Sequence, residues 1–332
     1  MTRYSPPYTI TDKMLELVSL ISEKIGRLTN YHSLETRPHL RRNNKILSVH
    51  SSLKIESNSL SLSEVKDVIS GHTVLGSQKE IQEVKNAYTA YEQISHINPT
   101  SLSDLKKIHG VMTDKILDVK ESGHFRLGNE GVFSGGKCVF MAPPPQRVES
   151  LINDLLSWLE EPAHGVHPLI ASSIFHYEFV FIHPFVDGNG RMARLWQTVI
   201  LYRWKPVFEY IPLESQIEKF QEQYYEAISQ SHINGNSNVF IEFILEMIDK
   251  VLDQLIFQLN TDIKNSSDYV KRMLGCMEYD VMYSSREIMD KLGLKSKETF
   301  RKNYLGPAIS EGLVKMSIPD KPNSKNQKYI KV

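Results

Sequence analysis

Residues 183 to 191 read His183-Pro184-Phe185-Val186-Asp187-Gly188-Asn189-Gly190-Arg191, and Arg194 follows three residues on. The apolar run over 167–181 reads as one helix, and a second begins near Gly190 and runs through Tyr202, so the stretch is a loop between two helices. A helix that opens just after a Gly-rich turn presents unpaired N–H groups and the positive end of its dipole. Gly188 and Gly190 permit a tight loop whose backbone phosphate oxygens can approach closely. Arg191 and Arg194 project from one side of the second helix, and guanidinium forks match phosphate oxygens. Asp187 offers one hard oxygen for Mg²⁺, which usually takes one carboxylate plus substrate phosphates. His183, with an ordinary pKa of about 6.5, can take the proton of an attacking hydroxyl. Pro184 stiffens the backbone beside it, and Phe185 anchors the loop in the core. Singly these are a core histidine, a surface turn and a solvated helix face. Together they predict a site that holds a metal-bound polyphosphate and attacks it with a hydroxyl. His176, seven residues before His183, does not have zinc-pair spacing and reads as structural.

Outward from the loop, helical patterns dominate. Met14, Leu17, Val18, Ile21, Ile25 and Leu28 give a helix from about Thr11 to Leu28. Arg37 to Asn44 is polar and basic, and Ser61-Leu-Ser-Glu64 is a capping box ahead of an apolar-periodic stretch. Further helices are expected at 79–94, 101–117, 147–160, 214–231 and 238–259. Val132–Phe133 and Cys138–Phe140 around Ser-Gly-Gly-Lys read as a short β-hairpin, ended by Pro143-Pro144-Pro145. Asp262 to Ser267 reads as a linker. Beyond it come a helix at 268–278, a capped helix at 284–294, a basic helix from Lys297 to Glu311, and strands at Leu313–Ser317 and Lys328–Val332. That order resembles a winged helix-turn-helix.

The 332 residues are 41% hydrophobic with no net charge, the profile of a globular protein of two or three parts. The balance hides an asymmetry: residues 265–332 carry 13 Lys or Arg against 8 Asp or Glu. Two cysteines, Cys138 and Cys276, stand apart and outside any metal-binding spacing, which fits a reducing compartment and a cytoplasmic location. No apolar run is long enough to span a bilayer, and the first residues do not read as a signal peptide, so no membrane partner is expected.

The loop resembles the signature of the Fic family, His-Pro-Phe-x-Asp/Glu-Gly-Asn-Gly/Lys-Arg, at every specified position, and the likeness extends over roughly residues 37–255. It implies an all-α fold: a helical Fic core with a small β-hairpin flap, here followed by a small winged-helix domain. The expected division is an N-terminal helical region 1–100 with an inhibitory helix, a catalytic core 101–260 and the winged domain 266–332. The resemblance implies transfer of AMP from ATP, with Mg²⁺, to a Tyr, Thr or Ser hydroxyl of a protein or of the chain itself. His183 would be the base and Asp187 the Mg²⁺ ligand. Asn189 and the loop amides, with Gly188 and Gly190, would hold the α-phosphate, and Arg191 and Arg194 the β- and γ-phosphates. Tyr224 and Tyr225 line the nucleotide pocket or, alternatively, serve as core tyrosines. The flap, 132–140, would dock a target protein by strand addition. Ser52-Leu-Lys-Ile-Glu56 resembles the family's inhibitory pattern Ser/Thr-x-x-x-Glu-Gly/Asn, with Ser57 departing at the Gly/Asn place. Glu56 would then pair Arg194 and keep ATP from productive binding.

Two alternatives stand beside this. The same site could remove AMP from a modified protein, with Glu56 orienting water, or use another nucleotidyl or phosphoryl donor. The Lys that marks a phosphotransferase branch is absent at Gly190. Alternatively the chain is a DNA-binding regulator with a vestigial core, with Arg286, Lys295, Lys297, Arg301 and Lys302 on phosphates. The complete loop speaks against a vestigial core, and so modest a basic surplus favours charges that solvate a domain used for target choice or homodimerisation.

Overall fold

The computed structural model describes residues 4–30, 38–134, 137–160, 165–264, 267–277, 281–310, 313–322 and 324–331. The chain divides into two compact units: Met1–Glu23 with Asn44–Leu252, and Lys24–Asn43 with Asp253–Val332. It is mostly helical, as the sequence predicts. In chain order the first elements are α1 (Asp12–Asn30), α2 (Pro38–Ile55), α3 (Leu62–Ile69), α4 (Gln78–Tyr91) and α5 (Leu102–Met112). The hairpin β1 (Gly131–Ser134) and β2 (Lys137–Met141) follows, then α6 (Pro145–Glu160), α7 (Pro168–Ile182), α8 (Asn189–Trp204), α9 (Leu213–Lys219), α10 (Gln221–Asn234) and α11 (Asn238–Lys264). The basic stretch before Asn44 turns out to begin α2.

The first unit is built on α7 and α8. Pro168 at the first helical position and the His167 side chain, which accepts from Leu169 N–H, start α7. Every residue from Leu169 to Phe179 is buried, as is all of α8 from Arg191 to Leu201. Helices buried on every side belong in a core, and this pair is the frame of the loop between them. Serine caps set the peripheral helices: Ser61, Ser77 and Ser101 each accept from the third helical N–H. The hairpin strands pair antiparallel with a register slip between Val132 and Phe133. Gly135 and Gly136, and the side chains of 132–139, lie outside the described residues, so the expected docking surface is seen as backbone only.

In the second unit α11 carries Asp262 and Lys264 within its length, so the helix continues into the stretch read as a linker. The elements that follow are α12 (Asp268–Gly275), β3 (Met282–Ser284), α13 (Ser285–Leu292), α14 (Lys297–Thr299), a π-turn at Phe300–Leu305, α15 (Gly306–Ser310), β4 (Val314–Met316) and β5 (Lys328–Lys331). The helix expected over 297–311 runs without interruption from 297 to 310, with its middle turn widened to π at Phe300–Leu305. Pro307 has no N–H to give and crowds the preceding turn, while a Cβ on Gly306 would lie 2.8 Å from the Arg301 carbonyl oxygen. The three strands form an antiparallel sheet in the order β3–β5–β4. Val270, Met273, Ile288, Leu292, Phe300, Leu305, Val314 and Tyr329 make a core of their own.

Candidate active site

His183 ends α7 in the left-handed region (φ 50°), its N–H bonded to the Phe179 carbonyl. Few non-glycine residues take that conformation, and here the surroundings enforce it. The agent is Arg126, 2% exposed, which the sequence reading left without a role. Its Nε donates to the His183 carbonyl (2.6 Å), and its other nitrogens to the carbonyls of Gly128 (2.8 Å), Pro143 (2.6 Å) and Ile182 (3.3 Å). One guanidinium therefore ties the end of α7 to both stems of the hairpin. Burial lowers the pKa of the His183 ring, which also hydrogen-bonds the Val180 backbone. Burial thus favours the neutral ring, the form a general base needs.

Phe185 is fully buried, as expected of an anchor, and stacks on His109 with centroids 3.6 Å apart. His109 Nδ1 accepts from Gly123 N–H (2.9 Å), so Nε2 carries the proton and donates to the Asp187 carbonyl (3.0 Å). Burial lowers the pKa of His109 to about 4. Asn189 is buried, and both ends of its amide bond the Phe185 backbone: Oδ1 accepts from N–H (2.9 Å) and Nδ2 donates to the carbonyl (2.7 Å). Its side chain closes the loop, and the donors left at the start of α8 are backbone amides. Those amides are available. Gly188 (φ 82°) precedes α8 without a side-chain cap, and the N–H groups of Asn189, Gly190 and Arg191 have no partner among the described residues.

Asp187 Oδ1 accepts from Gly188 N–H (2.6 Å) and Oδ2 from Arg191 (3.1 Å). Burial opposes its charge, but the Arg191 guanidinium and the Gly188 amide outweigh that and hold its carboxyl below the usual range. Arg191 also lies 3.7 Å from Glu83, yet its Nε and Nη1 are buried without a hydrogen-bond partner. Both nitrogens therefore still have a hydrogen bond to give.

The deepest contact is that of Arg194, 2% exposed. Its Nε donates to Ser52 Oγ (3.0 Å), and its Nη2 to the Ser52 carbonyl (2.9 Å) and to Glu56 Oε1 (2.7 Å). Burial disfavours the charge, but the Glu56 carboxylate more than restores it and raises the pKa above the ordinary arginine value. The carboxylate lies over the start of α8: a Cβ on Gly190 would run into Glu56 Oε1. Glu56 thus fills the place where the α8 dipole, free amides and Arg194 converge. Ser57 follows at φ 69°, and Asn58 N–H returns to the Leu53 carbonyl, a left-handed helix end at the position where glycine or asparagine is favoured. The turn is pinned by α4, where Asn58 Nδ2 donates to Glu83 (2.9 Å) and Ser59 N–H to Glu80 (2.7 Å). From α10, Gln221 donates to the Ile55 carbonyl (3.0 Å).

The two tyrosines part company. Tyr224 is buried, and its hydroxyl contacts His176 Nε2 (3.0 Å), whose Nδ1 contacts Gln197 (2.7 Å), so it occupies the core position. Tyr225 is exposed beside the end of α2, its hydroxyl 3.4 Å from the Ile55 carbonyl. Among the described residues no cluster of three or more His, Cys, Asp or Glu could hold a metal unaided. A single carboxylate, Asp187, fits Mg²⁺ that arrives with phosphates.

Residues 99–201 match the Fic/DOC family, and residues 268–330 match the C-terminal domain of Fic-like, filamentation-induced-by-cAMP proteins. Curated relatives include "Protein adenylyltransferase fic-1" of Caenorhabditis briggsae, 28% identical over 77% of this chain and 49% of the relative. Another is "Protein adenylyltransferase Fic" of Drosophila mojavensis, 28% identical over 71% and 46%. The chain spans about half the length of the curated relatives it matches. The crystal structure of a Fic family protein from Desulfovibrio desulfuricans is similar over 99% of this chain and 98% of that one, with 41% identity and a TM-score of 0.74.

Proposed function

The chain belongs to the Fic family, and from that membership we propose that it is a Mg²⁺-dependent protein adenylyltransferase held in check by Glu56. It would move AMP from ATP to a Tyr, Thr or Ser hydroxyl of a protein, or of itself. The observation that carries the reading is the position of the Glu56 carboxylate, which takes from Arg194 and the start of α8 the place of an anionic ligand. With Glu56 withdrawn, Arg194, Arg191 and the amides of Asn189 to Arg191 would hold the phosphates of ATP. Asp187 would hold Mg²⁺ together with those phosphates, and the ion would neutralise their charge. The neutral His183 ring would take the proton as the target oxygen bonds the α-phosphorus, and the bond to the bridging oxygen would break to release pyrophosphate. The proton would then pass from His183 to solvent. The paired backbone of β1 and β2 supports docking of an extended target segment beside the loop. The helix–strand–helix–helix–strand–strand order with sheet order β3–β5–β4 supports the winged-helix reading of 266–332.

Removal of AMP is the second reading. Glu56 Oε2 has no partner among the described residues, and the side chain is 39% exposed, so it could orient an attacking water.

The test is labelling with α-³²P-ATP and Mg²⁺ of wild type, Glu56→Gly and Glu56→Gly/His183→Ala, with a cell extract as a source of targets. Label is expected to rise strongly on Glu56→Gly and to vanish with His183→Ala. No label on any variant would overturn adenylyl transfer, and release of AMP from pre-modified protein by wild type but not Glu56→Gly would establish the second reading.

A further inference from the structure

A cleft of about 590 Å³ opens on the C-terminal unit between the start of α13, the α13–α14 connection and the loop joining β4 to β5. Arg286, Lys295, Lys297, Arg301 and Lys325 line it against one carboxylate, Asp290. All five cations are exposed, and none has an ion-pair partner among the described residues. Gln327 lines the same cleft. It is 6% exposed, its Nε2 donates to the Lys328 carbonyl (2.9 Å), and its Oε1 is buried with no partner. Charges that merely solvate a surface spread over it; here they converge on one concavity, which focuses their field.

We propose that this cleft grips the phosphodiester backbone of a double-stranded nucleic acid, with the helix-borne Lys297 and Arg301 on one side and Lys325 of the β4–β5 loop on the other. Five cations in one cleft exceed what a single phosphate group engages and match a duplex, which presents a charge about every 1.7 Å along its axis. Single strands are held on exposed aromatic rings. The one aromatic here, Tyr329, is buried. The charge surplus of the sequence, too modest to favour this reading, is gathered by the fold into one place.

The experiment is fluorescence anisotropy of the full chain with a labelled duplex of roughly 25 base pairs, as DNA and as RNA, over rising NaCl. Five phosphate contacts predict a log Kd against log salt slope of about 4.5, falling to about 2.7 in Lys297→Ala/Arg301→Ala. That variant is expected to bind at least tenfold more weakly at low salt and to keep the wild-type Tm, since both residues are exposed. Equal binding of both duplexes assigns backbone recognition, and binding of one alone assigns the source. No binding at low salt overturns the proposal, as does binding that the double variant leaves unchanged, a stronger preference for single strands, or equal competition by polyglutamate. Adenylyl transfer by Glu56→Gly is expected to be unaffected by the double variant, so the two readings fail separately.

Discussion

Ser57 and Asn189 show how far single residues can be read. Ser57 departs from the Gly/Asn of the family pattern, and the reason for that pattern is visible at its φ of 69°. A left-handed L-residue costs roughly 1–2 kcal/mol, less what glycine loses in chain entropy. Ser57→Gly is therefore expected to stabilise the chain by about 1 kcal/mol, seen as a higher Tm, and to leave basal labelling low because Glu56 is held more firmly. A lower Tm would show that the serine is not strained. Asn189, expected to hold the α-phosphate together with the loop amides, has both ends of its side-chain amide on the Phe185 backbone. In the Glu56→Gly background, Asn189→Ala is expected to lower kcat about 100-fold through a misplaced loop, with a fall in Tm and little change in the KM for ATP. An unchanged Tm with a raised KM would return Asn189 to direct phosphate binding. The signature named the loop residues because their chemistry is local. Arg126, His109 and Glu83 escaped it because their roles come from partners 57, 78 and 25 positions away.

At the scale of elements, the contact with Arg194 belongs to the whole end of α2. Arg194 of α8, Gln221 of α10 and Glu80 and Glu83 of α4 each hold a different atom of that turn. Glu83 faces two ways, accepting from Asn58 and lying 3.7 Å from Arg191, so it links the turn after α2 to the Arg191 guanidinium. Glu83→Gln keeps the shape and removes the charge. It is expected to raise labelling severalfold over wild type, to less than the Glu56→Gly level, and to add nothing on top of Glu56→Gly. A loss of labelling in both backgrounds would mean that Glu83 acts only by orienting Arg191. The helices were legible because period and serine caps are local signals. The π-turn at Phe300–Leu305 was not, since an i→i+5 turn leaves the apolar spacing almost that of an α-helix.

Over the whole molecule, the histidines are distributed unevenly, and acid should separate the two units. Burial holds His109 near pKa 4 and His176 near 3, while both take about 6.5 in the unfolded chain. A base whose folded pKa is depressed stabilises the fold fully above about pH 6.5, and that contribution fades as pH falls toward the folded value, because the unfolded chain binds the proton first. For His109 the full difference is on the order of 3 kcal/mol. Glu178, whose pKa burial raises, acts in the opposite sense and offsets part of the loss. The second unit carries two histidines, His32 and His39, against ten in the first, and no tryptophan, whereas Trp158, Trp196 and Trp204 all lie in the first unit. Tryptophan fluorescence therefore follows the catalytic unit, and calorimetry follows both. Between pH 7 and pH 5 the tryptophan-reported transition is expected to fall by several degrees, while a transition without fluorescence change stays in place. A tryptophan transition that stays level down to pH 5 would mean that neither buried imidazole remains neutral at a cost to the fold, and a single transition in both signals would mean that the two cores unfold as one.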